Sequence, residues 1–143
     1  MWYTASVTKK GEPNPPASPS RPLDERQGKR VPAIFYRTES QGEPGREWLK
    51  HLSADDRKRI GEDIKTVEFG WPIGMPVCKP LGDGIYEVRT NLNQNRIARV
   101  LFYIDKKSRM ILLHAFIKKS QKTTDADLAL ARINKSKHRR GLP

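Results

Sequence analysis

The chain has 143 residues, with 28 lysines and arginines against 16 acidic residues, a formal net charge of +12 and a sequence pI near 10.1. That length holds one domain of ordinary size plus an extension and excludes two full cores. The charge argues for a polyanionic partner: nucleic acid, an anionic membrane or an acidic protein. A membrane is the weakest of these, because no apolar run approaches the roughly 18 to 20 residues that span a bilayer. A lone cysteine, Cys78, excludes an internal disulfide, and His51, His114 and His138 lack the spacing of a zinc motif. No metal and no cofactor are expected. Trp2 to Val7 gives way at once to Lys9, Lys10 and prolines, which is no secretory signal, so the expected location is cytoplasmic.

Residues 1–30 carry Pro13, Pro15, Pro16, Pro19 and Pro22 and almost no apolar residues after Val7, the composition of a disordered basic extension. Ile34-Phe35-Tyr36 predicts a first short strand, ended by the polar loop Thr38 to Gly42. Trp48, Leu49 and Leu52 share a helical face. Ser53 with Asp56 has capping-box spacing and opens a second helix, whose Ile60, Ile64 and Val67 follow the i, i+4, i+7 stripe and whose stop is Gly70 with Pro72. Trp71 to Pro80 is read as a loop. Three strands then run as a meander, Ile85 to Arg89, Ile97 to Ile104 and Met110 to Ile117, joined by turn-rich connections. Thr124 and Asp127 repeat the capping pattern and open a last helix, with Leu128, Ala131, Leu130 and Ile133 on its candidate buried faces and fraying expected over Lys135 to Arg140. The order predicts an α+β fold, a small antiparallel-rich β-sheet with two N-terminal helices packed on one face and a C-terminal helix. The expected domain covers residues 31–137, with a basic tail at 138–143.

The meander carries most of the candidate chemistry. Strand side chains alternate with a period of two, so cations at alternate positions converge on one face. RNA cleavage without a metal requires proton removal from a 2′-hydroxyl, stabilisation of a more anionic phosphate and protonation of the leaving oxygen. Histidine suits the proton transfers near neutrality, while arginine and lysine suit the charge. Arg99 interrupts an apolar run between Ala98 and Val100, where an unpaired buried charge would be costly, so it is expected to face solvent or a partner. His114, Phe116 and Lys118 are expected on one face, where an aromatic ring beside cations can stack a base. Arg89 shares a face with Glu87, and a surface ion pair explains it as well as a catalytic role does. Lys79, Arg96, Lys119 and Lys122, with Phe116, make the candidate RNA-binding set. For each of these residues ordinary solvated charge or core packing is the bland alternative.

Three runs also resemble a known family: Leu81-Gly82-Asp83-Gly84-Ile85-Tyr86-Glu87-Val88-Arg89, Arg96-Ile97-Ala98-Arg99-Val100-Leu101, and His114-Ala115-Phe116-Ile117-Lys118-Lys119-Ser120-Gln121-Lys122-Thr123. Together they resemble the HigB branch of the RelE/ParE toxin superfamily, phage-derived host-killing toxins of type II toxin–antitoxin systems, over roughly residues 31–135. The resemblance implies a RelE-like fold and a ribosome-dependent, metal-independent endoribonuclease that cleaves mRNA. It further implies Arg99 as the phosphate-stabilising arginine, His114 as the strand-end histidine, and Lys118 and Lys119 as active-site cations. The implied partner is a helix-turn-helix antitoxin of the HigA kind, with DNA met only indirectly through it. Two other readings stay open: a non-catalytic ParE-like toxin of gyrase, whose relatives generally lack the arginine, histidine and lysine set, and a simple nucleic-acid-binding module. Because the resemblance begins near Val31, an initiator at that position is a further expectation.

Overall fold

A computed structural model describes residues 28–119 and 122–141, so the proline-rich segment up to residue 27 lies outside the described residues. Along the chain come β1 (Ala33–Phe35), α1 (Pro44–Lys50), α2 (Ala54–Gly70), β2 (Cys78–Gly82), β3 (Ile85–Asn91), β4 (Ile97–Ile104), β5 (Met110–Lys118) and α3 (Asp125–Arg140). The strands form one mixed sheet in the order β1-β5-β4-β3-β2, with β1 parallel to β5 and every other pair antiparallel. This is the α+β architecture that the sequence predicts.

The two faces of the sheet have separate cores. Ile60, Ile64 and Val67 of α2 pack with Val88, Ala98, Val100, Phe102 and Leu112, while Ala131 and Leu128 of α3 pack with Ile85, Leu101, Tyr103, Ile111 and Leu113. Alternation along β3 and β4 therefore directs even-numbered residues to the N-terminal helices and odd-numbered ones to α3. In β5 the parity changes. Leu101 pairs with His114 but Phe102 with Leu112, leaving Leu113 as an extra residue, a β-bulge that turns both Leu113 and His114 towards α3. After the bulge, Phe116 and Lys118 keep that face, and Ala115 and Ile117 join the opposite core.

Three expectations are corrected. The segment read as a loop through Pro80 contains β2, because Asp83 and Gly84 (φ 56° and 72°) make the left-handed two-residue turn of a tight hairpin with β3. Pro80 is tolerated there because β2 is an edge strand. The last helix does not fray at Lys135. It continues to Arg140, held by the Asn134 side-chain amide donating to the Leu113 carbonyl at 2.9 Å, by Tyr103 and His138 at 2.5 Å, and by Lys137, His138, Arg139 and Arg140 at the negative end of the helix dipole. Leu130 and Ile133, offered as burial candidates, point to solvent at 48% and 50% exposure.

The caps form where the sequence places them. Ser53 Oγ accepts from the Asp56 amide at 3.1 Å, and Thr124 Oγ1 accepts from the Asp127 amide at 3.2 Å. The Asp56 side chain also has a second, stronger partner outside the cap. It accepts a forked pair of hydrogen bonds from Arg96 at 2.7 and 3.1 Å, which, with a smaller contribution from Ser53, hold its carboxyl below the usual range against the opposing effect of burial. Arg96 thus ties the β3–β4 turn to the start of α2. Arg96→Ala should lower the midpoint of denaturant unfolding, since it leaves the Asp56 carboxylate without its forked partner, and urea melts of the two proteins would check this.

Candidate functional site

Register across the sheet sets the site. Lys79 of β2 stands opposite Glu87 of β3, and Arg89, Arg99 and Phe116 stand side by side across β3, β4 and β5. All belong to the face that α3 partly covers. At the centre is Glu87, fully buried, which accepts a hydrogen bond from Arg99 Nη1 at 2.6 Å and faces Arg89 Nε at 3.8 Å from the same oxygen. Its other carboxylate oxygen accepts from the Thr123 hydroxyl. Arg99 is only 1% exposed, which corrects the expectation that it faces solvent or a partner: its charge is satisfied inside the sheet by Glu87, and the surface pair expected of Arg89 and Glu87 is half-interior. Burying these charges is tolerable because they are paired and hydrogen-bonded.

Beside this pair lies a second group. Asp127, in the first turn of α3, accepts from Lys118 Nζ at 2.7 Å and from His114 Nε2 at 2.9 Å, and the Thr124 hydroxyl adds a third bond. Burial raises the cost of its charge, but hydrogen bonds from Lys118, Thr124 and His114 together hold the carboxyl well below its ordinary value of 3.8. Phe116 links the group together, with Lys118 Nζ 4.8 Å from its ring centroid and the His114 ring at 5.4 Å. At 9% exposure Phe116 supports those two side chains and leaves little ring surface for a stacked base. The groups open to an incoming ligand are Arg89, His114 and Lys118, whose side chains are 24%, 21% and 33% exposed.

The structure therefore brings together Arg89, Arg99, His114, Phe116 and Lys118. Lys79 is exposed on the edge strand of the same face, Lys119 is exposed at the end of β5, and Lys122 is exposed in the connection to α3. Arg96 is not part of the cluster. Cys78 is buried, and burial followed by the Glu87 charge pushes its thiol up to about 11, as suits an inert core residue. Among the described residues no group of three or more His, Cys, Asp or Glu side chains is placed to hold a metal ion. Three site residues escaped the sequence reading in their present roles: Glu87, weighed only as a neighbour of Arg89, Asp127, weighed only as a cap, and Thr123.

Asp127 gives the site a pH signature. Its carboxyl is depressed in the folded chain, so the stability it contributes is fully present above the ordinary value of 3.8 and is lost as pH falls below that towards the folded value. Asp127→Asn should therefore be less stable than the parent at neutral pH, with the difference shrinking below about pH 3 in urea melts.

A small mixed sheet whose paired arginines and carboxylate–histidine–lysine group share one face defines a compact α+β protein. The sequence model described as phage derived protein Gp49-like (DUF891) matches residues 47–136, and the chain belongs to that family, which is associated with toxins of toxin–antitoxin systems. Among curated proteins none matches the chain. No helix among the described residues is long and apolar enough to cross a membrane.

Proposed function

We propose that this chain is the toxin of a type II toxin–antitoxin pair, of the HigB kind, and that it cleaves mRNA on the ribosome without a metal. The observation that carries the reading is the convergence of Arg89, His114 and Lys118 on one sheet face above the buried Arg99 and Glu87. A 2′-oxygen loses its proton and bonds to the adjacent phosphorus, the bond to the 5′-oxygen breaks, and that oxygen takes up a proton. The products are a 2′,3′-cyclic phosphate and a 5′-hydroxyl.

Asp127 is ionised and only accepts, so the neutral His114 ring carries its hydrogen on Nε2, a tautomer assigned from that bond. Nδ1 is left with a lone pair and suits the base. Lys118 and Arg89 stabilise the non-bridging phosphate oxygens. Arg99, whose direct phosphate contact would require its bond to Glu87 to open, serves as a positioning residue that fixes Glu87 and, through it, Arg89. Lys79, Lys119 and Lys122 hold flanking phosphates, contacts that position RNA without reading its sequence. The partner is a helix-turn-helix antitoxin of the HigA kind, through which alone the pair meets DNA.

The burial of Arg99 favours one second reading, a non-catalytic ParE-like toxin of gyrase. Induced expression of the chain beside His114→Gln, with new 5′ ends mapped on translated and untranslated copies of one transcript, separates the readings. Histidine-dependent cuts confined to the translated copy are the expected result. Cuts on both copies would mean a free ribonuclease, and growth arrest without cuts would move the assignment to the gyrase reading.

A further inference from the structure

At the far end of α3 from Asp127, the helix and the β4–β5 turn enclose an open groove of about 720 Å³, with Lys106, Lys135, Arg139 and Arg140 among its walls. Asp127 and Arg139 are twelve positions apart, which places the groove about 18 Å along the helix from the cluster at its start. Lys106, Arg139 and Arg140 are exposed, and among the described residues none of them has a carboxylate partner. Lys135 donates to the Asp83 carbonyl and lies 5.3 Å from the Tyr103 ring centroid. The one acid in the wall, Asp105, is already engaged by Arg109 at 2.7 Å and by the Lys107 and Arg109 amides. Among the described residues, Lys106, Arg139 and Arg140 are therefore without a carboxylate partner, and Lys135 meets only neutral groups, the Asp83 carbonyl and the Tyr103 ring.

Helix-dipole complementarity accounts for cations in the last turn of α3, but not for Lys106, which arrives from a different element to face them. A protein partner would need apolar anchors at the centre of its footprint, and the groove offers only the buried Tyr103 and the partly buried Ile104, while the exposed apolar side chains of α3, Leu130 and Ile133, lie outside it. We infer that this groove is a second binding site for the phosphodiester backbone of RNA, separate from the cluster around Glu87 and Asp127. It shares with the ribonuclease reading only the class of ligand. The backbone comes either from the strand held at the first site or from a separate RNA helix.

The test uses the full chain and non-cleavable 2′-O-methyl RNA, so that it does not depend on catalysis. A single strand of about 12 nucleotides and a hairpin are titrated against the parent and against Lys106→Gln/Arg139→Gln/Arg140→Gln over a range of salt. The triple variant, which replaces only exposed side chains and should keep the parent's melting temperature, is expected to bind on the order of 10-fold more weakly. Its salt slope should fall by roughly 2, at about 0.7 per lost single-strand contact. Loss on the single strand identifies the same RNA as the source, and loss on the hairpin alone identifies a separate helix. Unchanged affinity and slope for both probes would overturn the inference, as would a variant that keeps its RNA affinity but no longer binds a polyglutamate peptide. Loss of cleavage in His114→Gln with the groove titration intact would leave the second site standing, whereas the reverse pattern would remove it alone.

Discussion

His114→Gln should lower RNA cleavage by 10²- to 10⁴-fold, the usual range for removing a general acid–base group, while the chain stays folded. The structural cost is small because His114 is partly exposed and makes one hydrogen bond, worth about 1 kcal/mol. Asp127→Asn should fall in between. An amide at that position can donate as well as accept, so Nε2 is no longer fixed as the protonated nitrogen, and Lys118 loses its ionic partner. A positioning role for Asp127 predicts a shifted pH–rate profile, whereas a purely structural role predicts a uniform loss at every pH. Initial rates on a short RNA across pH 5 to 9, measured for the parent and both variants, would check this.

The second large effect concerns stability. Removing either partner of the buried Arg99–Glu87 pair strands a charge in the sheet, and Glu87→Gln or Arg99→Met should cost about 3–5 kcal/mol. In a domain of this size that lowers the melting temperature by roughly 15 °C or more. Replacing both, as Glu87→Leu/Arg99→Met, removes the stranded charge and should recover much of the loss, because apolar side chains of similar volume often substitute for buried pairs with little penalty. Activity should not recover, since Arg89 loses the carboxylate that faces its guanidinium. Calorimetry of the four proteins with a parallel cleavage assay would show this. Recovery of both stability and activity would mean that the pair serves the fold alone.

Much of the fold was legible because its signals are local. Ser53 with Asp56 and Thr124 with Asp127 announce helix starts, the stripe of Ile60, Ile64 and Val67 announces a buried helix face, and the Ile97 to Ile104 run announces a strand covered on both sides. The missed strand β2 also had a local signal, the two-residue Asp83-Gly84 turn, but Lys79 and Pro80 masked it by resembling a loop. Lys135 to Arg140 suggested fraying because a charged helix end carries little periodicity, and the contacts that hold it, Tyr103 with His138 and Asn134 with Leu113, are long-range.

The candidate site was legible in part for the same reason. Its cations stood out as charges in apolar strands, and the shared face of His114, Phe116 and Lys118 followed from alternation alone. The bulge at Leu113 could not be read from the sequence, although it is what turns that set towards α3. The anions depend on register and on packing between elements. Glu87 stands opposite Leu101, two positions along β4 from Arg99, so its pairing with Arg99 is diagonal, and Asp127 reaches β5 only once α3 has docked. A sequence shows which residues carry charge, whereas the three-dimensional pairing decides that Arg99 is enclosed and that His114 and Lys118 remain open.

The most direct measurement is the chemistry of the cut ends. The purified chain is incubated with programmed ribosomes under translation conditions, the reaction is stopped, and the RNA termini are identified, with His114→Gln run in parallel. The expected termini are 2′,3′-cyclic or 3′-phosphate ends facing 5′-hydroxyl ends, formed by the parent and absent with the variant. Cuts that carry 5′-phosphates, or cuts that persist unchanged in His114→Gln, would contradict it.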